Sequence, residues 1–532
     1  MKTSYSYVIL AILLTSVGIV FCSVAQTQPL SADTIGYFFA GQQLANDKGL
    51  AYTDTYNQTI SPFFYPHAFR MTHEDSATAF FGYPPGLPIL IAIAGKLTGN
   101  PQFAAYTVPA LATLGVLVTW GLGWLLTGSK SVGLWAAALL VSARSYWTFG
   151  TAPWSEIPSL VFISCGVAFY ILSRRNQAKE QLLLTYAAAA GLLIGFSFFI
   201  RYTNVLLVCP VLFLFELTTS KACLWQKKER WLFWIILTMS VLGILLFNNA
   251  YYGGPFNTIY NTPKLGAYPW PMFSLTYAFG PSPANGYSVL EIFRTLWNNF
   301  HVFLFLAPWG WLHMSKTNAL LDVGMILTTI GLFSIYAFAA KGANARFLLP
   351  MFPFLCIAIA YGIIMLGHNL PPNWTQRLLV GLVMILLFAP IPMYVNELQI
   401  RNRQDAMTVE RIERVTMTTP ENAVFLSLIF NDAIIVYGRR SVLNYRAMIK
   451  EDPQIEQFDM ATYRACFVAS VEKLLMNDIP VYFVLHSGWN ASKIMEEHFA
   501  LTEASQEMPL MQVTLFQDEG EESQLGVCPV IQ

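Results

Sequence analysis

Residues 7–25 read YVILAILLTSVGIVFCSVA, and shortly after them comes Ser31-Ala32-Asp33-Thr34-Ile35-Gly36-Tyr37. The first run has the length that carries a helix across a bilayer, roughly 20 apolar residues. The second therefore sets a carboxylate within a few residues of a membrane surface. An acid at that height meets lipid-borne groups on one side and water on the other, so Asp33 is the first candidate for chemistry. Ser23-Val24-Ala25 also has the small-residue pattern of a signal-peptidase site. Only Lys2 precedes the long apolar run, which favours an uncleaved anchor, and either outcome leaves Asp33 outside.

Composition extends this reading to the whole chain. Hydrophobic residues make up 55% of the 532 and charged residues 12%, against roughly 25% charged in a soluble domain. The chain is a polytopic membrane protein. With 31 basic and 31 acidic residues and no strongly basic block, nothing points to nucleic acid. The 7 cysteines show no CxxC and no zinc spacing; Cys22, Cys165, Cys209 and Cys356 fall in apolar runs and suit packing. Cys466 and Cys528 lie in the polar C-terminal region and would be able to pair if it is exported.

Apolar runs at about Phe103–Leu126, Val132–Phe149, Ile157–Leu172, Leu182–Ile200, Asn204–Leu217 and Trp231–Ala250 predict spans, as do Leu296–Met314, Ala319–Ala340, Phe347–Leu366 and Leu378–Val395. With the first, this makes about eleven helices. Ile89–Ala94, after Tyr83-Pro84-Pro85-Gly86-Leu87-Pro88, is too short to count. Between them, residues 26–82 form a loop too long for a connector. Ile35, Tyr37, Phe38, Ala40, Leu44 and Ala45 predict an interfacial amphipathic helix there, with Asp33 near its start.

Short loops dense in Lys and Arg (Lys130; Arg174, Arg175, Lys179; Lys221, Lys227, Lys228, Arg230; Lys316; Arg377) alternate with longer loops holding fewer cations. By the positive-inside rule the N-terminus is cytoplasmic and everything after Asn396 is exported. Two domains are expected: 1–396, membrane-embedded and including the outward loop 26–102, and 397–532, a soluble α/β domain. In the latter the pattern predicts helices at about Arg403–Thr416, Thr462–Met476 and Ala491–His498. Strands are predicted at Ala423–Ile429, Ile434–Tyr437, Val442–Tyr445 and Pro480–Leu485.

This topology brings a second acid to the face of Asp33: Glu156 in Pro153-Trp154-Ser155-Glu156-Ile157-Pro158. Ser155 and Pro158 equally suit a helix start that an acid would stabilise. Arg201, Lys341 and Arg346 collect on the same face, where each suits lipid headgroups or a specific phosphate, and Arg is the better fork for a phosphate oxygen pair. Residues 251–299 add many aromatics, Tyr268 and Trp270 among them. Together with Tyr37 and Tyr83 these are candidates for a sugar or acceptor groove, beside the plainer reading of an interfacial belt. Transfer of a sugar from a lipid phosphate needs a base for the acceptor hydroxyl, while the phosphate leaves as a stable anion and needs cations more than an acid. One outward acid with one or two outward arginines is a minimal set for that reaction.

At these residues the chain resembles the GT-C membrane glycosyltransferases, in the branch of dolichyl-phosphate-mannose protein mannosyltransferases and bacterial lipid A aminoarabinose transferases. The likeness rests on Asp33 after the first helix, Pro84-Pro85-Gly86-Leu87 before the second, Glu156-Ile157-Pro158 opening the fourth, and Arg346-Phe347-Leu348-Leu349-Pro350, over roughly residues 5–366. It implies an inverting transferase using a polyprenyl-phosphate sugar, with Asp33 as base and Glu156 orienting the acceptor or supporting a divalent metal (Mg or Mn). Gly86 stands where that branch often has a bulkier residue, and Asp33 has no neighbouring second acid. His67, His73, Glu74 and Asp75 lack a diagnostic metal spacing. A transporter or flippase would instead place ionisable groups at mid-membrane and show paired repeats, and a non-catalytic scaffold displaying 397–532 is the third alternative.

Overall fold

The computed structural model describes residues 3–54, 56, 66, 68–71, 78–174, 179–219, 227–257, 289–314, 345–369, 371, 374–427, 430–444, 460–485, 491–505 and 510–515. The chain packs as two compact units. The first comprises Met1–Thr27, Pro84–Leu246 and Trp270–Asn402, the second Gln28–Tyr83, Phe247–Pro269 and Arg403–Gln532. Accordingly α1 (Thr3–Ser23) belongs to the first and α2 (Ala32–Ala45) to the second.

The first unit is helical. Its elements are α3 (Gly86–Thr98), α4 (Thr107–Thr127), α5 (Lys130–Ser142), α6 (Arg144–Gly150), α7 (Glu156–Ser173), α8 (Glu180–Ile200), α9 (Thr203–Thr219) and α10 (Lys228–Tyr252). They continue with α11 (Val289–Phe300), α12 (Leu306–Met314), α13 (Phe352–His368), α14 (Trp374–Phe388) and α15 (Ile391–Met417), and both α10 and α15 run on into the second unit. Seven helical stretches among the described residues are long and apolar enough to cross a membrane: Tyr5–Ser23, Phe103–Thr127, Glu156–Ser173, Glu180–Ile200, Lys228–Tyr252, Arg346–His368 and Val380–Met417. These fall on seven of the expected spans. The expected span at Asn204–Leu217 is α9, 17 residues with Pro210 inside it. Leu296–Met314 is divided by a 3-10 turn, His301–Phe305. Ala319–Ala340 lies outside the described residues.

Val132–Phe149 differs from expectation, since α5 ends at Ser142 and α6 begins at Arg144, with Ala143 extended between them. Apolar surroundings tolerate such a break only where the freed backbone groups find partners. Here the Trp147 indole donates to the Val141 carbonyl at 2.6 Å, and the Ser145 N–H donates to Asn299 Oδ1 at 2.8 Å.

Lipid tails are as apolar as leucine, so close backbone approach holds such helices together. A Cβ on Gly310 of α12 would stand 1.9 Å from the Ala358 carbonyl oxygen of α13, and one on Gly362 of α13 2.4 Å from that of Leu306. Only glycine lets these two helices meet.

The second unit has two sheets. Within the segment expected as loop, β1 (Ala51–Thr53), β2 (Phe69–Met71) and β3 (Thr78–Phe81) form an antiparallel sheet in the order β1-β3-β2. The C-terminal sheet contains β4 (Val424–Ser427), β5 (Ser441–Asn444), β6 (Val481–Val484), β7 (Ala500–Ser505) and β8 (Leu510–Thr514) in the order β5-β4-β6-β8-β7. Its β5-β4-β6 part is parallel and the rest antiparallel. Alternation along the strands sorts side chains between two layers. Val424, Leu426, Val481 and Phe483 pack with Phe467, Val471 and Leu474 of α16 (Met460–Met476) and Met495 of α17 (Ala491–His498). Phe425, Tyr482 and Val484 pack on the other side with Ile412 and Val415 of α15 and Ile35 of α2.

Two expectations change here. Ile434–Gly438, in part expected as a strand, is a π-helical turn after the short helix Asn431–Ala433, ended by Arg439 at φ 52°. The α2 helix was expected to lie on the membrane surface. Instead Thr34–Phe38, Ala40 and Gly41 are all buried, more of the circumference than a surface-lying helix covers.

Candidate functional site

In the first unit the sequence candidates Glu156, Arg201 and Arg346 come together. Glu156 is the first residue of α7, where the helix dipole favours an acid. Arg201 follows α8 directly in an extended conformation, its N–H bonded to the Ser197 carbonyl at 2.9 Å. Arg346 sits in a 3-10 stretch, Ala345–Met351, whose Leu348, Leu349 and Met351 are wholly buried. The Glu156 side chain is 1% exposed; Arg201 Nη1 donates to its Oε1 at 2.6 Å and Arg346 Nε lies 3.2 Å from the same atom. Both arginines therefore converge on one oxygen, while the other, Oε2, has no hydrogen-bond partner among the described residues. The three groups together carry one net positive charge.

Aromatic rings and a buried amide hold this arrangement. The Arg346 guanidinium lies 4.6 Å over the Trp154 ring and that of Arg201 4.4 Å over Phe347, geometry in which a ring face attracts a cation. Fully buried Asn204 donates to Ser159 Oγ at 2.7 Å and to the Ser197 carbonyl at 2.9 Å. It thereby ties the α8–α9 junction carrying Arg201 to the first turn of α7. The Pro84-Pro85-Gly86 element packs on the same junction: a Cβ on Gly86 would stand 2.6 Å from the Phe199 carbonyl carbon. Trp154, Phe347, Ser159 and Asn204 were not singled out in the sequence as parts of a site. Their only advance signal was adjacency to Glu156 and Arg346 for the first two.

In the second unit Asp33 occupies the first turn of α2, half-buried. The Tyr83 hydroxyl donates to Asp33 Oδ1 at 2.6 Å. Tyr37, one turn on from Asp33, stacks on Tyr83 with centroids 5.1 Å apart, and Phe81 meets both rings edge-on at 5.8 and 5.6 Å. The Tyr252 hydroxyl fixes this strand end through the Phe81 carbonyl at 2.5 Å. Two aromatic candidates are thus gathered beside the candidate base.

Tyr268, Trp270, Lys341, His67, His73, Glu74, Asp75 and Cys528 lie outside the described residues, as does the side chain of Cys466. Among the described residues there is no group of three or more His, Cys, Asp or Glu that could hold a metal ion.

Solved structures of GT-C glycosyltransferases share this fold. ArnT from Cupriavidus metallidurans, solved bound to undecaprenyl phosphate, aligns over 98% of this chain and 100% of its own with TM-score 0.63 at 12% identity. The archaeal oligosaccharyltransferase AglB from Archaeoglobus fulgidus aligns over 89% of this chain and 69% of its own with TM-score 0.59, also at 12% identity. Its structure holds an inhibitory peptide and a dolichol-phosphate. No curated protein matches in sequence. The chain belongs to the Alg9-like mannosyltransferase family, whose sequence profile matches residues 91–430. That stretch includes Glu156, Arg201 and Arg346 and begins beyond Asp33. The protein is therefore an integral membrane glycosyltransferase of the mannosyltransferase-like GT-C type.

Proposed function

We propose that the protein transfers a sugar, with inversion, from a polyprenyl-phosphate donor to a hydroxyl of a lipid, glycan or protein acceptor on the extracytoplasmic side of the inner membrane. The observation that carries this reading is the pair of arginines fixed on buried Glu156. Two guanidinium groups held by one carboxylate and two aromatic rings form a preorganised, net-positive cradle, which is what a departing phosphate needs. The undecaprenyl phosphate bound by ArnT and the dolichol-phosphate bound by AglB are ligands of the same chemistry. In the proposed reaction the acceptor oxygen attacks the anomeric carbon and the carbon–oxygen bond to phosphate breaks. The electron pair leaves with the polyprenyl phosphate, and the acceptor proton goes to Asp33. Tyr83 holds the Asp33 carboxylate in one orientation through its hydroxyl, and Tyr37 and Tyr83 offer ring faces to the sugar or acceptor. Arg201 and Arg346 take the phosphate charge; no step is routed through a metal.

The test is transfer from radiolabelled dolichyl- or undecaprenyl-phosphate mannose by the full chain in proteoliposomes. A positioned base contributes about 10²–10⁴-fold, so Asp33→Asn should cut turnover by at least about 100-fold while donor binding is retained. Undiminished turnover in that variant removes Asp33 from the role; transport of labelled donor with no covalent product removes the transferase reading.

A further inference from the structure

Glu156 and Arg346 reach each other from two separate limbs of the first unit. One limb is α6 with residues 151–155 after it, which delivers Trp154 and then Glu156 at the start of α7. The other is the 3-10 stretch Ala345–Met351, which delivers Arg346 and runs directly into α13. The α11 helix touches both α6 and the 3-10 stretch, and it does so with two consecutive residues of its last turn, Asn299 and Phe300.

Asn299 acts at the break between α5 and α6. In an unbroken helix the Ser145 N–H would donate to the Val141 carbonyl one turn back. Extended Ala143 separates those two groups, and each takes a side-chain partner instead. Trp147 Nε1 donates to the Val141 carbonyl at 2.6 Å, and the Ser145 N–H donates to Asn299 Oδ1 at 2.8 Å. Asn299 is buried, and its Nδ2 donates to the Thr295 carbonyl at 2.7 Å within α11. That inner bond aims the oxygen at Ser145. Phe300 is buried too, and its ring meets that of Phe352 edge-on with centroids 5.0 Å apart. Phe352 opens α13 directly behind the stretch that carries Arg346. The chain leaves α11 through His301 at φ 46°, a left-handed conformation that costs a residue with a side chain energy and that packing around it must hold.

We propose that Asn299, with Phe300 beside it, is a positioning residue for the donor phosphate: it keeps the helix broken at Ala143 and so holds the limb of Trp154 and Glu156 in register with the limb of Arg346. A buried N–H must keep a partner. Without Asn299 Oδ1 the Ser145 N–H is satisfied by returning to the Val141 carbonyl, which straightens α5 into α6 and turns Trp154 and Glu156 away from Arg346. Asn299 touches no substrate in this scheme and acts through the groups it aligns. The inference rests on the reading of Glu156, Arg201 and Arg346 as a phosphate site.

Native mass spectrometry of the full-length protein titrated with undecaprenyl phosphate tests it, with thermal unfolding measured alongside. Asn299→Ala should bind about 10-fold more weakly per folded molecule, the scale of one buried hydrogen bond to the backbone. Asn299→Asp keeps an oxygen for the Ser145 N–H and should restore the affinity. Val167→Ala, in the buried face of α7 further along the helix, is the comparison for a purely structural loss and should lower the unfolding temperature with affinity unchanged. If Asn299→Ala does not fold, Phe300→Leu keeps apolar volume without the ring contact and should weaken binding in the same direction. Unchanged affinity in the folded variants, a loss in Asn299→Asp equal to that in Asn299→Ala, or an equal loss in Val167→Ala overturns the proposal. Absence of binding by wild type overturns the phosphate reading itself, and this inference with it.

Discussion

Glu156 shows how the meaning of one residue depends on contacts that sequence spacing does not display. As a letter it is an acid opening a helix, and the structure keeps that reading, since it is the first residue of α7. What spacing did not reveal is that Arg201 and Arg346 both contact it; residues so far apart in the chain meet only after several helices have packed. The sequence reading matched these arginines to lipid headgroups or a specific phosphate; the contact of both with a protein carboxylate is what the structure adds. Removing one partner of a buried pair strands the others, at a cost of about 3–5 kcal/mol. Glu156→Gln should therefore lower the thermal stability of the detergent-solubilised protein by an amount near the lower end of that range, because both arginines keep some exposure. Arg201→Gln added to Glu156→Gln should cost much less than Arg201→Gln alone. A double-mutant cycle by thermal unfolding measures this coupling, and additive losses would show that the pair contributes nothing jointly.

At the scale of elements, hydropathy located most of the long helices because about 20 apolar residues have few other uses. It failed where local pattern and tertiary demand diverge. The Val132–Phe149 run is largely apolar, yet it breaks at Ala143, where Trp147 donates to the freed Val141 carbonyl and Asn299 accepts from the freed Ser145 N–H. The Ile434–Tyr437 run is β-branched and aromatic, yet Gly438 must approach Thr416, whose Cγ2 would lie 2.7 Å from a Cβ there, and the chain coils into a π turn. The α2 helix was legible as a helix with Asp33 near its start, but its partner was not. Ile35 is fully buried against the C-terminal sheet layer with Phe425, Ala433, Ile434 and Val442, and the Tyr437 hydroxyl bonds to the Pro29 carbonyl at 3.1 Å. The element carrying Asp33 is thus mounted on C-terminal residues. Ile35→Ala should cost about 2–5 kcal/mol of stability in the second unit and lower turnover at saturating donor with little change in donor affinity. A purely peripheral C-terminal region predicts unchanged turnover, and steady-state assays of the variant decide between them.

For the whole molecule, composition and charge alternation announced a polytopic membrane chain, and the family match confirms the class. The stability of the second unit responds to pH through buried phenols. Burial pushes the Tyr52 hydroxyl far above the usual tyrosine range, with the adjacent Asp54 charge and its hydrogen bond adding to the effect. Burial does the same to Tyr437, helped by Asp405 and Glu413. A phenol whose folded pKa is raised contributes its full stability below the unfolded value, about 10. Above that value the unfolded chain releases a proton that the folded chain retains, so stability falls as pH rises toward the folded values. The second unit should therefore be insensitive to these groups at neutral pH and lose stability progressively above about pH 10. Limited proteolysis of residues 403–532 as a function of pH follows this directly. Tyr437→Phe should flatten the alkaline decline, since phenylalanine has no proton to release, at the cost of the bond to Pro29. An equally steep decline in Tyr437→Phe and Tyr52→Phe would assign the alkaline limit to other groups.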